Sequence, residues 1–284
     1  MEDPLRQMTF EVGDGTTRNY AVSENSGDPL VLLHGWFDRW QRFLPILPFL
    51  SQEWTVYALD HRGHGGSSAV PGEYRPQDYV QDAEAFLETV VRRPAVLVGH
   101  SLGGWVALNL AARHPDWVRA VVVGDSPLSV EQYVMGLPED AGAPFRPMVE
   151  IAKLVAGLEE TADAWNASSP LDPSIGRLEL HSWVQSLRRI DAETLRLPAE
   201  GRSREYMEDI GLPEALAGAR CPTLLIQADP KVGGLMPDAD VEHALEVLAN
   251  GYHVKLAGLD HSLGLSTWEC EGLLRALATF LELV

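Results

Sequence analysis

Short apolar runs alternate with longer amphipathic stretches through the first half of the chain. Thr9–Val12 and Asn19–Val22 flank Asp14-Gly15, which predicts an opening β-hairpin. Pro29–Leu33, Trp54–Leu59, Ala95–Val98 and Val118–Val123 are continuous apolar runs of strand length, as expected of strands covered on both faces. Between them, residues 76–91 read as a helix. Tyr79, Ala83, Phe86 and Val90 recur at helical spacing, while Asp78, Asp82, Glu84 and Glu88 lie mostly off that stripe. Leu102–Ala112 reads as another helix, closed by His114-Pro115. This alternation predicts a mostly parallel sheet with helices on both faces.

The pattern changes at about Leu128. From there to about Leu212 helical segments follow one another without a convincing strand. They are interrupted at Gly136-Leu137-Pro138, Ala143-Pro144, Ser169-Pro170 and Asp172-Pro173. Alternation then resumes with a strand at Thr223–Ala228, a helix over 237–248, a strand over 252–256 and a helix over about 267–283. The organisation expected is an α/β core of residues 1–127 and 213–284, with a helical cap, 128–212, inserted between two strands.

Composition narrows the class. The chain has 284 residues, of which 45% are apolar, enough to bury a sizeable core. No run approaches the roughly 18 apolar residues of a membrane span. The opening Met-Glu-Asp-Pro-Leu-Arg has no basic segment leading into an apolar one, so a cytoplasmic location is expected. Cys221 and Cys270 form no CxxC pair and match no zinc spacing; both are expected to be reduced and buried. Against 22 Lys and Arg stand 41 Asp and Glu, a net charge of −19. Such a surface repels nucleic acid and anionic membranes. The partner expected is a small-molecule substrate, with no cofactor and no metal; monomer and homodimer both remain open.

The candidate chemistry centres on Gly99-His100-Ser101-Leu102-Gly103, which follows a strand and opens a helix. A turn this tight lifts the central hydroxyl out of the sheet, and the flanking glycines leave room for the neighbouring strand and helix. The next amide, on Leu102, sits at a helix N-terminus, where unpaired N–H groups face a developing oxyanion. A glycine-rich turn with an incidental serine is the plain alternative. A serine nucleophile needs a base, and histidine titrates near the working pH. Nine histidines compete. His34 and His100 flank motif glycines, His61 and His64 share a loop, His114 precedes a proline, and His181, His243 and His253 have no motif around them. His261 follows the last strand on the loop Gly258-Leu259-Asp260 and is the candidate base. Two aspartates that end strands, Asp229 and Asp125, could accept its other ring proton.

These segments together resemble the α/β-hydrolase superfamily over nearly the whole chain. They are Leu32-Leu33-His34-Gly35-Trp36, Asp60-His61-Arg62-Gly63-His64-Gly65, Gly99-His100-Ser101-Leu102-Gly103-Gly104 and Leu259-Asp260-His261-Ser262-Leu263. The resemblance implies an eight-stranded sheet and a second oxyanion amide, on Trp36. It favours Asp229, after the seventh strand, as the acid. Yet Asp229-Pro-Lys-Val-Gly-Gly-Leu-Met-Pro237 is longer than the family's usual stretch, and some members place the acid after the sixth strand, where Asp125 sits.

The cap contributes Tyr133, Met135, Trp165, Trp183, Tyr206 and Met207; most of these are expected in its own core, with Trp165 and Trp183 as candidate pocket residues. Trp36 and Trp105 come from motif segments and could line the pocket from below. The function this implies is a serine hydrolase cleaving an ester or lactone of a small apolar molecule through an acyl-enzyme. A serine in this position argues against the superfamily's epoxide hydrolases and dehalogenases, which use Asp. Cofactor-free dioxygenases of the fold, with His261 as base, are the main rival. Asp125, Trp36 and Trp105 suit that pattern and Leu102 does not. Haloperoxidase-like or C–C cleaving activity and a non-catalytic binding protein are further alternatives.

Overall fold

The computed structural model describes residues 5–13, 15–156 and 183–284. Strands β1 (Arg6–Glu11) and β2 (Thr17–Val22) pair antiparallel in the opening hairpin. β1 extends further upstream than its apolar pattern implied, because backbone pairing to β2 holds mostly exposed side chains in an edge strand. β2 also pairs antiparallel with β4 (Trp54–Leu59). From there β3 (Asp28–Leu33), β5 (Ala95–His100), β6 (Val118–Gly124), β7 (Thr223–Ala228) and β8 (Gly251–Leu256) are joined by parallel pairings. The order is β1-β2-β4-β3-β5-β6-β7-β8, so the expected mostly parallel eight-stranded sheet is borne out.

Helices cover both faces. On one lie α1 (Pro76–Phe86), α2 (Leu102–Arg113), α6 (Leu212–Gly218) and α7 (Asp238–Val247), burying Tyr79, Phe86, Leu97, Val106, Leu216 and Val241. The other buries Trp40, Phe43 and Leu47 with Leu273, Leu277 and Phe280 of α8 (Glu271–Leu281). α8 starts later than expected. Residues 261–268 form turns, with Gly264 at φ 78° and its carbonyl bonded by Cys270 Sγ at 3.2 Å. Cys270 is buried as expected, Cys221 only half-buried, and both are free. Among the described residues no helix is long and apolar enough to cross a membrane.

Asp82 departs from the polar face assigned to it. It is buried on α1, and its two oxygens take both Arg18 (2.6 and 2.9 Å) and Arg62 (2.7 and 2.8 Å). Charges so deeply placed persist only when paired.

Between β6 and β7 the described residues hold helices and no strand: α3 (Val130–Met135), α4 (Arg146–Ala156), α5 (Ser203–Glu208) and shorter turns. This segment ties to the core at named points. The Tyr74 hydroxyl donates to Asp191 at 2.6 Å, Asp191 N to Gly63 O at 2.7 Å, and Asn109 Nδ2 to Ile210 O at 3.0 Å. Because β3 and β5 to β8 run parallel, the loops after them emerge along one sheet edge, beneath this segment.

Candidate active site

β5 ends at His100 and α2 begins at Leu102, so one residue, Ser101, makes the whole turn. Its backbone is at φ 54°, ψ −117°, a conformation that L-residues avoid unless their surroundings impose it. Those surroundings are visible. A Cβ on Gly99 would come within 2.2 Å of Gly103 O, and one on Gly103 within 2.0 Å of Leu33 O. Ser101 N donates to Gly124 O at 2.9 Å, and the Ser126 hydroxyl donates to Ser101 O at 2.7 Å. The elbow is thus clamped to β3 and β6.

Gly35 brings the loop after β3 against the nucleophile: a Cβ there would lie 2.9 Å from Ser101 Cβ. Trp36 follows it. As the first residue of α2, Leu102 has no carbonyl one turn back for its amide to bond.

His261 sits on the loop after β8. Its carbonyl accepts from His100 Nε2 at 2.7 Å, and the two rings lie 4.7 Å apart. Its Nδ1 lies 2.7 Å from Asp125 Oδ2, which assigns the Nδ1 proton to that bond. Asp125 directly follows β6, fully buried, at φ 46°. Its oxygens also accept from the amides of Ala228 (3.0 Å), Leu235 (2.8 Å) and Met236 (3.3 Å).

The geometry sets Asp125, rather than Asp229, against the imidazole. The Asp229 carboxylate accepts from Lys231 N and Gly258 N, both at 3.0 Å. These two amides hold its carboxyl below the usual range, and it serves as a turn cap. The unusual length of the Asp229–Pro237 stretch now has a reason. Gly233, at φ 107°, reverses the chain, and the returning limb delivers the Leu235 and Met236 amides to Asp125.

Several other histidines have structural partners. His34 Nδ1 donates to Gly35 O, its Nε2 accepts from His61 N, and His61 Nε2 donates to His34 O. His64 Nδ1 donates to Arg62 O. Burial pushes His34 down to about 4 and His64 down to about 3, and His61 and His100 well below the ordinary imidazole value. All four stay neutral at pH 7. His114 stacks on Trp117, His253 bonds Gln227, and His181 lies outside the described residues. One group escaped the sequence reading. Asp38, in the loop after Trp36, has its carboxyl pushed up by burial; Arg42 at 3.4 Å and His261 act against that rise.

Of the expected pocket residues, Trp36 spans the junction between core and inserted segment. Its ring lies 6.4 Å from Trp105, 6.3 Å from Phe145 and 4.7 Å from Tyr206. Trp105 is buried, with its indole N–H given to Pro127 O at 2.7 Å, so it backs Trp36. Trp183 packs on Ala152, Val155, Leu187 and Ile190, inside the inserted segment itself. Met207 is buried, Met135 exposed, and Trp165 lies outside the described residues. Phe145, half-buried beside Trp36, and Tyr79, buried on α1, were not singled out as pocket groups; Tyr206 was named among the large groups of the inserted segment without a pocket role.

Residues 30–269 match the model of the Alpha/beta hydrolase family. The chain belongs to that family. Among relatives of this α/β hydrolase, a 2-(acetamidomethylene)succinate hydrolase of Mesorhizobium japonicum is 40% identical over 206 residues, covering 70% of this chain and 66% of that one. The chain spans no more than that 66% of the first curated relatives it matches. Two solved structures share the fold. One is an E-2-(acetamidomethylene)succinate hydrolase (TM-score 0.69, 22% identity, 98% and 99% of the two chains). The other is the enol-lactonase of Burkholderia xenovorans LB400 (TM-score 0.72, 22% identity, 97% and 100%).

Proposed function

We propose that this α/β hydrolase is a serine hydrolase that cleaves an ester, lactone or similar carbonyl bond of a small molecule through an acyl-enzyme. The observation that carries this reading is the Asp125–His261 bond, formed on the same sheet edge as the strained Ser101 turn. With Nδ1–H engaged by Asp125, His261 Nε2 is left as the basic nitrogen. Ser101 Oγ attacks the carbonyl carbon as Nε2 takes its proton. The amides of Trp36 and Leu102 bind the oxyanion. Collapse expels the alcohol, which leaves with the proton from His261, and an ester on Ser101 remains. Water, deprotonated by the same nitrogen, then releases the acid and restores the serine. The segment between β6 and β7, residues 128–212, acts as the cap. The likeness to a 2-(acetamidomethylene)succinate hydrolase supports a carbonyl substrate.

The test is labelling with a fluorophosphonate, together with turnover of p-nitrophenyl esters by wild type and Ser101→Ala. Labelling and turnover that both vanish in the variant are expected. Absence of both in the wild type would sink the reading. The position of Asp125 after β6 also suits a cofactor-free dioxygenase with His261 as carbanion-forming base. In that case an N-heteroaromatic substrate would drive oxygen uptake that survives Ser101→Ala.

A further inference from the structure

Beside the nucleophile lies a group of buried polar atoms that the hydrolytic cycle does not use. Trp36 Nε1, Tyr79 OH and Tyr206 OH are each buried without a hydrogen-bond partner among the described residues. Tyr79 and Tyr206 are 0% and 1% exposed. Unpartnered polar atoms at such depth are rare, because each has given up its water. The three come from different elements: Tyr79 from α1, Tyr206 from α5, and Trp36 from the loop after β3. The rings of Trp36 and Tyr206 are 4.7 Å apart. The indole N–H acts on both phenols, lowering each against the larger rise that burial causes. The site is close to the chemistry, since Trp36 follows Gly35, the residue packed on Ser101.

We propose that Trp36 Nε1, Tyr79 OH and Tyr206 OH form a substrate subsite that binds a neutral hydrogen-bond acceptor, a ketone, amide or second ester carbonyl oxygen. Each phenol can donate one O–H, matching the two lone pairs of an oxygen, and the indole N–H beside them can only donate. The charge around it selects against a carboxylate. His61 and His64, whose rings lie 5.5 and 6.3 Å from that of Tyr79, are neutral. Arg62, the cation facing Tyr79, is engaged by both oxygens of Asp82. Burial raises both phenols, so neither supplies a charge of its own near pH 7. Among the described residues, a carboxylate here would be a buried ion without a free counter-ion. This sharpens the apolar substrate expected from the sequence into an apolar molecule with one carbonyl handle. It rests on the serine-hydrolase reading for its place beside Ser101.

The experiment compares three esters of matched size: methyl 4-oxopentanoate, methyl pentanoate and monomethyl succinate. Calorimetric titration of Ser101→Ala measures binding, and wild type measures turnover of the same three. The keto ester is expected to bind about threefold to tenfold more tightly than methyl pentanoate, with monomethyl succinate the weakest. Adding Tyr79→Phe or Tyr206→Phe should bring the keto-to-pentanoate ratio toward one. Melting curves check that each variant is folded, and loss of an unpartnered hydroxyl should not lower the Tm. Equal binding of the first two esters, a ratio unmoved by either Phe variant, or tightest binding of monomethyl succinate would overturn the subsite. Ser101-dependent turnover without a keto preference would sink the subsite and leave the hydrolase reading standing. A keto preference in binding, with neither turnover of any ester nor fluorophosphonate labelling of the wild type, would support the subsite and sink the hydrolase reading.

Discussion

Two oxygens of Asp125 receive four donors, the amides of Ala228, Leu235 and Met236 and the imidazole of His261. Such a carboxylate fixes the ring's tautomer and stabilises the imidazolium formed as the serine loses its proton. Asp125→Asn is therefore expected to lower kcat by about 10⁴-fold with little change in KM, by analogy with the acid of other triads. Asp229→Asn should leave kcat within a few-fold, because its partners are turn amides. Steady-state kinetics on a p-nitrophenyl ester checks both, and comparable losses would contradict the assignment. The contrast explains what could be read from the sequence. Ser101 was legible because strand, turn and helix are local and its glycines have local reasons. Asp125 and Asp229 follow adjacent parallel strands in the same way, and only the path of the loop that begins at Asp229 separates them. The extra length of that loop was the available signal. Trp105 shows the opposite limit, since a Trp near the nucleophile reads as pocket lining until the partner of its N–H is known.

At the level of elements, the β7–α7 loop reaches Asp125 through the amides of Leu235 and Met236. A Cβ on Gly234 would meet the backbone carbons of Ala228 and Asp229 at 2.9 Å each, so the loop must shift. Gly234→Ala should loosen the Leu235 and Met236 bonds to Asp125 and lower kcat at least about tenfold at unchanged KM, the pattern of a displaced catalytic group. A fall in Tm with unchanged kcat would count against this. A different joint holds β2, the loop after β4 and α1 together, through Arg18, Arg62 and Asp82. Asp82→Asn leaves two buried guanidiniums without their carboxylate and should cost about 3–5 kcal/mol in urea unfolding. Strands and helices of the core were legible because their apolar periods are set by burial on the sheet. Asp82 was not, since a periodicity cannot say that its partners come from other elements.

Across the whole molecule, four imidazoles fold as buried neutral bases: His34, His61, His64 and His100. Their folded pKa values lie below the ordinary 6.5, that of His34 at about 4. Below pH about 6.5 the unfolded chain therefore binds more protons than the folded one. The stability they confer is complete above that value and drains away as pH falls toward about 4. Asp38 and Asp60, raised by burial, oppose this in part, because the folded state protonates them first. The urea midpoint should fall continuously from pH 7 to pH 4.5; a flat or rising profile would contradict it. The layout of the site has a different kind of consequence. Ser101, Asp125 and the Trp36 loop come before the inserted segment, and His261 comes long after it. On the serine-hydrolase reading, the hydroxyl and its oxyanion amides emerge during synthesis well before the base that makes them reactive, so the growing chain would be inert. Two separately made fragments, divided at the exposed Pro138–Asp140 stretch, would each lack part of the machinery. Ester turnover on mixing them would then report that the halves have met, a latent logic gate written into the order of the strands.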